Sequence, residues 1–142
     1  MEKMLKDKIA MVTGGASGMG EATVRLFAEE GATVVIGDYN VEKGEALCKE
    51  LTEKGYNVRF YGRMDITNQE EIDSNVKAMI DEFGRIDIFC QYAGGEVGSN
   101  FNTDNVHMEV WDACMDRNLK GNAMCYFAIV PYMKKRHSGS II

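Results

Sequence analysis

The stretch Val12-Thr13-Gly14-Gly15-Ala16-Ser17-Gly18-Met19-Gly20 decides the fold of this 142-residue chain. It follows a short apolar run, Ile9 to Val12, that predicts a buried strand, and it precedes a segment, Glu21 to Glu29, that predicts a helix. Glycines let the backbone turn sharply and let a diphosphate approach closely. The helix N-terminus then offers free N–H groups and the positive end of its dipole. A strand, a glycine-rich turn and a helix in this order predict the first half of a nucleotide-binding unit.

The spacing of the glycines separates this loop from other phosphate-binding loops. The dinucleotide fingerprint G-x-G-x-x-G is absent, and Glu21 stands where the phosphate loop of nucleotide triphosphatases has a lysine. The chain instead has T-G-x-x-x-G-x-G, formed by Thr13, Gly14, Gly18 and Gly20. This pattern resembles the short-chain dehydrogenase/reductase family. Taken alone, the motif leaves open a strand–helix turn that binds no ligand.

Composition and charge exclude several classes of partner. A formal net charge of -6 and a pI of about 4.9 argue against nucleic acid or an anionic membrane. We expect one domain over residues 1–142 in a cytoplasmic protein, because no signal core is visible and the longest apolar run, Ala123 to Met133, is too short to cross a bilayer. His107 lacks metal-ligand spacing, so no metal site is expected. Reduced thiols are expected at the four scattered cysteines, Cys48, Cys90, Cys114 and Cys125.

An acidic residue follows the second predicted strand, which runs from Thr33 to Ile36. Asp38 lies at the carboxyl end of that strand, where a carboxylate can accept hydrogen bonds from both hydroxyls of an adenosine ribose and would repel a 2′-phosphate. Tyr39 and Asn40 come next, so no basic side chain adjoins it. The pattern favours NAD over NADP. The alternative is that Asp38 caps the helix that follows.

The middle of the chain predicts alternating strands and helices, and hence an α/β fold. The predicted elements are a helix from Val41 to Lys54, a strand from Asn57 to Tyr61, a helix from Gln69 to Phe83 and a fourth strand ending at Tyr92. On the first of these helices, Ala46, Leu47 and Leu51 are predicted to face the sheet. Asp65 or Thr67 is a candidate N-cap for the second of them.

The family resemblance implies a fold, a cofactor and a set of binding residues. The fold is a Rossmann-like doubly wound parallel sheet in the order 3-2-1-4-5, truncated here before the last strands. In that family an aspartate followed by a branched apolar residue holds the edge of the adenine ring, and Asp65 and Ile66 match that pair. The implied cofactor is NAD. The implied cofactor-binding residues are Gly14, Ser17, Gly18, Met19, Gly20, Asp38, Tyr39, Asp65, Ile66, Ala93 and Gly94.

The chain departs from the family pattern at the end of the fourth strand. The family has Asn-Asn-Ala-Gly, and this chain keeps Ala93 and Gly94 but has Gln91 and Tyr92 in place of the asparagines. The first asparagine normally ties neighbouring strands together, a role that Gln91 is expected to imitate in part. Tyr92 is larger than asparagine, so we expect its bulk to intrude on the nicotinamide side and weaken cofactor binding. The alternative for Tyr92 is a solvated tyrosine at a strand end.

The last third begins with a predicted loop from Glu96 to Asn105 and a predicted helix from Val106 to Arg117. The next residues, Asn118-Leu119-Lys120-Gly121, match the family's Asn-Leu-x-Gly. The resemblance implies that Asn118 is the catalytic asparagine, which supports a water in the proton relay. A local helix break held by the asparagine side chain is the structural alternative.

The helix predicted from Gly121 to Arg136 is apolar nearly all round between Ala123 and Met133. A helix of this kind is buried on every side. One side is expected to face the sheet, and the other implies a partner subunit or a further part of the fold. We therefore expect a homo-oligomer.

Ser138 to Ile142 is predicted to begin a fifth strand. The catalytic serine and Tyr-x-x-x-Lys pair of the family would follow it, and they are absent from these 142 residues. Tyr39-x-x-x-Lys43 matches the pair's spacing only by chance, since it follows the second strand. The sequence predicts an NAD-dependent oxidoreductase of an alcohol or carbonyl, present as its cofactor-binding portion and inactive by itself. The alternative is a non-catalytic NAD-binding or assembly module.

Overall fold

The computed structural model describes residues 2–98, 104–105 and 107–142. Its centre is a five-stranded parallel sheet in the order β3-β2-β1-β4-β5, which confirms the predicted topology. The strands are β1 (Ile9–Thr13), β2 (Thr33–Gly37), β3 (Val58–Arg59), β4 (Ile88–Gln91) and β5 (Ser140–Ile141). Val12 of β1 lies between Ile36 and Cys90, so the glycine loop leaves the sheet at its middle strand.

Helices cover both faces of the sheet. They are α1 (Gly18–Glu29), α2 (Val41–Glu53), α3 (Gln69–Phe83), α4 (Met108–Met115) and α5 (Gly121–Arg136), with a π-helical turn (Asp116–Lys120) between the last two.

Side chains alternate along the strands and form two hydrophobic cores. Met11 and Phe89 point to one face, where they pack with α3 and α5. Val12 and Cys90 point to the other face, where they pack with α1 and α2. Burial on both faces explains why the strands read as nearly continuous apolar runs. The candidate site therefore lies at the strand ends, in the loops beyond them and at the ends of the adjoining helices.

Several local predictions were wrong. Ala46 is exposed, and the buried residues of α2 are Gly44, Leu47 and Leu51. The ring of Phe60 packs directly on Gly44, which has no side chain to keep it away. The third strand was predicted from Asn57 to Tyr61 and comprises two residues, because only Val58 and Arg59 pair with β2.

The segment around α4 also differs from its prediction. The predicted loop from Glu96 to Asn105 is described only at residues 96–98 and 104–105, and Val106, the predicted first residue of the helix, lies outside the described residues. The described helix begins at Met108 and passes through the π-helical turn into α5 without a break. The helix break considered for Asn118 was therefore wrong.

One face of α5 is buried and the other is open. Gly121, Cys125, Ile129 and Met133 are buried, whereas Phe127 on the outward face is 75% exposed. The outward face is the one expected to meet a partner or further chain. No helix in the described ranges is both long enough and apolar enough to span a membrane.

Candidate nucleotide-binding site

A cleft of about 390 Å³ opens at the carboxyl ends of the central strands. Such crevices are where ligands bind in open parallel sheets. Every residue that the resemblance implied for cofactor binding lines this cleft except Gly18, and Asn118 does not line it either. The full lining is Gly14, Ser17, Met19, Gly20, Asp38, Tyr39, Met64, Asp65, Ile66, Tyr92, Ala93, Gly94, Gly95, Glu96 and Arg117.

The glycine loop is packed too closely to carry side chains at three of its positions, Gly14, Gly15 and Gly20. Gly14 has a φ of +63°, and a Cβ there would lie 2.8 Å from the Ala93 nitrogen. A Cβ on Gly20 would lie 2.0 Å from the Gly14 carbonyl oxygen. These contacts seat the loop on the end of β4 and bring the first turn of α1 up against the loop. The floor of the cleft is therefore bare backbone.

The N-terminus of α1 faces this floor with free donors. Ser17 is the N-cap residue, but its side chain makes no capping hydrogen bond. The Glu21 N–H donates to the Ser17 carbonyl at 3.1 Å, so the N–H groups of the three preceding helical residues have no intrahelical acceptor. Free N–H groups and the helix dipole favour an anion at this point.

The Asp38 carboxylate is buried, with 5% of the residue exposed, and it holds the glycine loop. Its Oδ2 accepts from the Ala16 N–H at 3.0 Å, and its Oδ1 accepts from the Asn40 N–H at 2.9 Å. The alternative that Asp38 caps α2 was wrong, because Asn40 is the cap and accepts from the Lys43 N–H. Each carboxylate oxygen keeps further acceptor capacity toward the cleft.

Asp65 and Ile66 line the same cleft from the loop before α3. Asp65 Oδ1 accepts from both the N–H and the hydroxyl of Thr67, and Arg63 pairs with Oδ2 at 3.0 Å. Partial burial alone would raise the pKa of Asp65, but these hydrogen bonds and the guanidinium outweigh it and hold the pKa below its usual range. The expectation that Asp65 or Thr67 caps α3 was wrong, because Asn68 accepts from the Glu70 and Glu71 N–H groups.

The Asn118 side chain fastens the loop after β4 to the π-helical turn. Its Nδ2 donates to the Gly95 carbonyl at 2.9 Å and to the Cys114 carbonyl at 3.0 Å, and its Oδ1 accepts from the Gly95 N–H at 2.8 Å. The Asn118 carbonyl accepts from the Asn122 side chain at 2.8 Å. Asn118 therefore positions the cleft wall at Gly95.

The two residues that depart from the family pattern both make side-chain contacts with helices. Gln91 Nε2 donates to Asn122 Oδ1 of α5 at 2.6 Å, and Gln91 Oε1 is buried without a hydrogen-bond partner among the described residues. The expectation that Gln91 ties neighbouring strands through its side chain was wrong. Tyr92 is half-buried, and its hydroxyl is hydrogen-bonded to Thr23 of α1 with 3.2 Å between the oxygens.

The charged residues of the cleft are mostly acidic. Asp38, Asp65 and Glu96 line it with a single guanidinium, that of Arg117, which donates to the Glu96 carbonyl at 3.4 Å. Among the described residues, no group of three or more His, Cys, Asp or Glu side chains is arranged to hold a metal ion. The arrangement suits a ligand with hydroxyl donors at Asp38 and an anion at α1.

Sequence reasoning missed four of the lining residues: Met64, Gly95, Glu96 and Arg117. Met64 precedes the Asp65–Ile66 pair, so adjacency was an available signal. Glu96 and Arg117 are distant in the sequence and meet where Asn118 holds the loop after β4 at Gly95. No local sequence pattern indicates such a contact.

Comparison with known proteins gives a family match for the sequence and a close match for the fold. The family model described as short chain dehydrogenase matches residues 8–142. The chain belongs to the short-chain dehydrogenase/reductase family. The structure titled gox2181 superposes on this short-chain dehydrogenase/reductase with a TM-score of 0.92 at 30% identity, over 99% of this chain and 54% of the other.

Two curated relatives of this short-chain dehydrogenase/reductase have named activities. One is the (2S)-[(R)-hydroxy(phenyl)methyl]succinyl-CoA dehydrogenase subunit BbsD of Thauera aromatica, which is 38% identical over 97% of this chain. Another is the 3-oxoacyl-[acyl-carrier-protein] reductase FabG of Thermotoga maritima, which is 37% identical over 97% of this chain. The chain spans 54% and 55% of the lengths of these two relatives. Family members typically use a nicotinamide cofactor.

Proposed function

We propose that this chain is the NAD-binding portion of an oxidoreductase that interconverts an alcohol and a carbonyl compound. The proposal rests on the Asp38 carboxylate, which is fixed by Ala16 and Asn40, lines the cleft and is followed in the chain by Tyr39 and Asn40 instead of a basic residue. A fixed carboxylate accepts hydrogen bonds from a ribose diol and repels a 2′-phosphate. The cofactor is therefore NAD and not NADP.

The remaining cleft residues fit such a dinucleotide. The bare floor at Gly14 and Gly20 admits a diphosphate, and the free N–H groups of α1 would hold it. Asp65 and Ile66 would hold the adenine, with Tyr39 beside the ribose. When bound, NAD supplies the hydride acceptor, and this chain's residues bind and orient it.

Asn118 acts at the other end of this cleft. Its side chain holds Gly95, and its carbonyl lies on the π-helical turn where a relay water of the complete enzyme would be supported. The alcohol or carbonyl substrate class is supported by the relatives, one named as a dehydrogenase of a hydroxy compound and one as a reductase of a 3-oxoacyl compound. The working form is a cytoplasmic homo-oligomer.

Calorimetric titration of the chain with NAD and with NADP tests this function. We expect saturable binding of NAD and binding of NADP that is weaker by about five- to thirtyfold, since a 2′-phosphate against a fixed carboxylate costs on the order of 1–2 kcal/mol. Equal or tighter binding of NADP overturns the proposed cofactor. Absence of binding by either cofactor overturns the function.

A further inference from the structure

Tyr92 bridges the end of β4 and the second turn of α1. Its hydroxyl oxygen lies 3.2 Å from Thr23 Oγ1, which also donates to the Met19 carbonyl oxygen at 2.9 Å. The ring packs against the core formed by Val12 and Val24, so the side chain is held between sheet and helix.

This bridge lies on one side of the glycine loop and the adenosine-binding residues lie on the other. Asp38 follows β2 and Asp65 follows β3, on one side of the central strand β1. Tyr92 follows β4, on the opposite side of β1. A dinucleotide whose ribose is at Asp38 and whose diphosphate is at the α1 N-terminus must therefore pass Tyr92 to place its second nucleoside over β4.

We propose that Tyr92 is a specificity-determining residue that restricts the second-nucleoside half of the cleft, so that this chain recognises the ADP half of its ligand. Tyr92 lines the cleft while packing against the core on the α1 face of the sheet, and the hydrogen bond to Thr23 holds its side chain in place. Asp38, Asp65 and Ile66 line the cleft on the other side of β1. This inference rests on the proposed function, because it assigns the two halves of the cleft to the two halves of NAD.

The test compares three ligands that share the ADP half: ADP, ADP-ribose and NAD. For the wild-type chain we expect the dissociation constants of the three ligands to agree within about threefold. The groups that ADP-ribose and NAD carry in addition to ADP would add little binding free energy, because Tyr92 restricts their part of the cleft. The Tyr92→Asn variant should bind NAD and ADP-ribose at least about fivefold more tightly while its affinity for ADP stays the same. Affinity for ADP is the internal control for folding.

Two further variants separate the ring from its hydrogen bond. Tyr92→Phe keeps the ring and removes the phenol, and Thr23→Val removes the partner oxygen while keeping the shape of the side chain. Both should gain NAD affinity by the same amount, and by less than Tyr92→Asn, because the ring remains but is no longer fastened.

Three results would overturn the inference, and they differ in what they imply for the proposed function. If wild-type chain binds NAD much more tightly than ADP and Tyr92→Asn removes that advantage, Tyr92 supports the second nucleoside and the inference is overturned. If the ratios of the dissociation constants for ADP, ADP-ribose and NAD are the same in Tyr92→Asn as in the wild type, the inference is overturned as well, while the proposed function stands. If the wild-type chain binds none of the three ligands, both the inference and the proposed function fail.

Discussion

The Asp38 carboxylate is held by two backbone N–H groups, from Ala16 and Asn40, in the ligand-free chain. It therefore supports the glycine loop and offers a fixed acceptor to the cleft at the same time. Preorganisation of this kind lowers the entropy cost of binding, because the acceptor needs no rearrangement when a ribose arrives.

We predict that Asp38→Ala lowers NAD affinity by about tenfold, as expected for loss of hydrogen bonds to a charged group. Affinity for NADP should fall less or rise, because the repulsion of the 2′-phosphate is removed. Calorimetry with both cofactors measures the ratio of the two dissociation constants. Glu45→Ala is the matched control, since Glu45 is exposed on α2 and carries the same charge. A ratio that stays at the wild-type value in Asp38→Ala would refute the assignment.

Sequence reasoning placed residues at the cleft correctly where their position depends on their neighbours in the chain. Gly14, Gly20 and Asp38 were found because a strand, a turn and a helix fix their places. It failed where the role depends on distant contacts. Asn68 is the N-cap of α3, because its side chain accepts hydrogen bonds from two backbone N–H groups. Arg117 lines the cleft beside the loop that Asn118 holds at Gly95.

At the scale of secondary-structure elements, Asp87 joins three segments at the amino end of the sheet. Its carboxylate accepts from the Ile9 N–H at 2.8 Å and from Arg136 of α5 at 2.9 Å, and it pairs with Arg85 at 3.1 Å. Burial alone would raise its pKa, but the N–H and the two guanidinium groups outweigh burial and hold the pKa of Asp87 below its usual range. β1, β4 and α5 are thereby fastened together.

We predict that Asp87→Asn lowers the free energy of unfolding by about 1–3 kcal/mol at pH 7. A carboxylate whose pKa is lowered on folding stabilises the protein above its unfolded pKa and loses that contribution as the pH falls. The gap between wild type and variant should therefore narrow below about pH 4. Urea denaturation from pH 7 to pH 3 measures both quantities.

Asp81→Asn is the matched control for that experiment, because Asp81 pairs with Lys77 on the surface of α3. Its effect should stay within about 0.5 kcal/mol. Equal effects of the two substitutions at pH 7, or a gap that is constant across the pH range, would contradict the role given to Asp87.

α4 and α5 carry the sequence features that were hardest to interpret. The apolar composition of α5 predicted burial on every side, but composition alone cannot say which molecule buries each side. The structure leaves Phe127 75% exposed, together with Trp111 of α4 at 54%. The π-helical turn between α4 and α5 was not predicted; within it, Asn118 is hydrogen-bonded to Gly95, which lies 23 residues away in the chain.

At the scale of the whole molecule, the exposed apolar side chains of α4 and α5 favour self-association. We predict that the wild-type chain is oligomeric and that Phe127→Asp shifts it toward the monomer. Sedimentation equilibrium over a concentration series measures the average molar mass of each protein in solution. Leu26→Asp is the matched control, since Leu26 is 54% exposed on α1, on the opposite face of the sheet. A monomeric wild type, or equal effects of the two variants, would exclude an interface on this face.

We also predict that the 142-residue chain does not catalyse hydride transfer by itself. Transfer to or from an alcohol needs a group that exchanges the hydroxyl proton, and the Asn118 amide does not titrate near neutral pH. Absorbance of reduced cofactor, followed with NAD and a panel of alcohols, should stay at background. Turnover that survives purification and is abolished by Tyr92→Phe would contradict this expectation, and it would make the Tyr92 phenol the acid/base group.

A crystal structure of the chain grown with NAD tests whether NAD binds in the cleft with its adenosine ribose on Asp38. We expect both ribose hydroxyls within hydrogen-bond distance of the Asp38 carboxylate, the diphosphate on the N–H groups at the start of α1, and the adenine beside Asp65 and Ile66. A nucleotide bound elsewhere, or one in this cleft that leaves Asp38 with only Ala16 and Asn40 as partners, would contradict the proposed cofactor site.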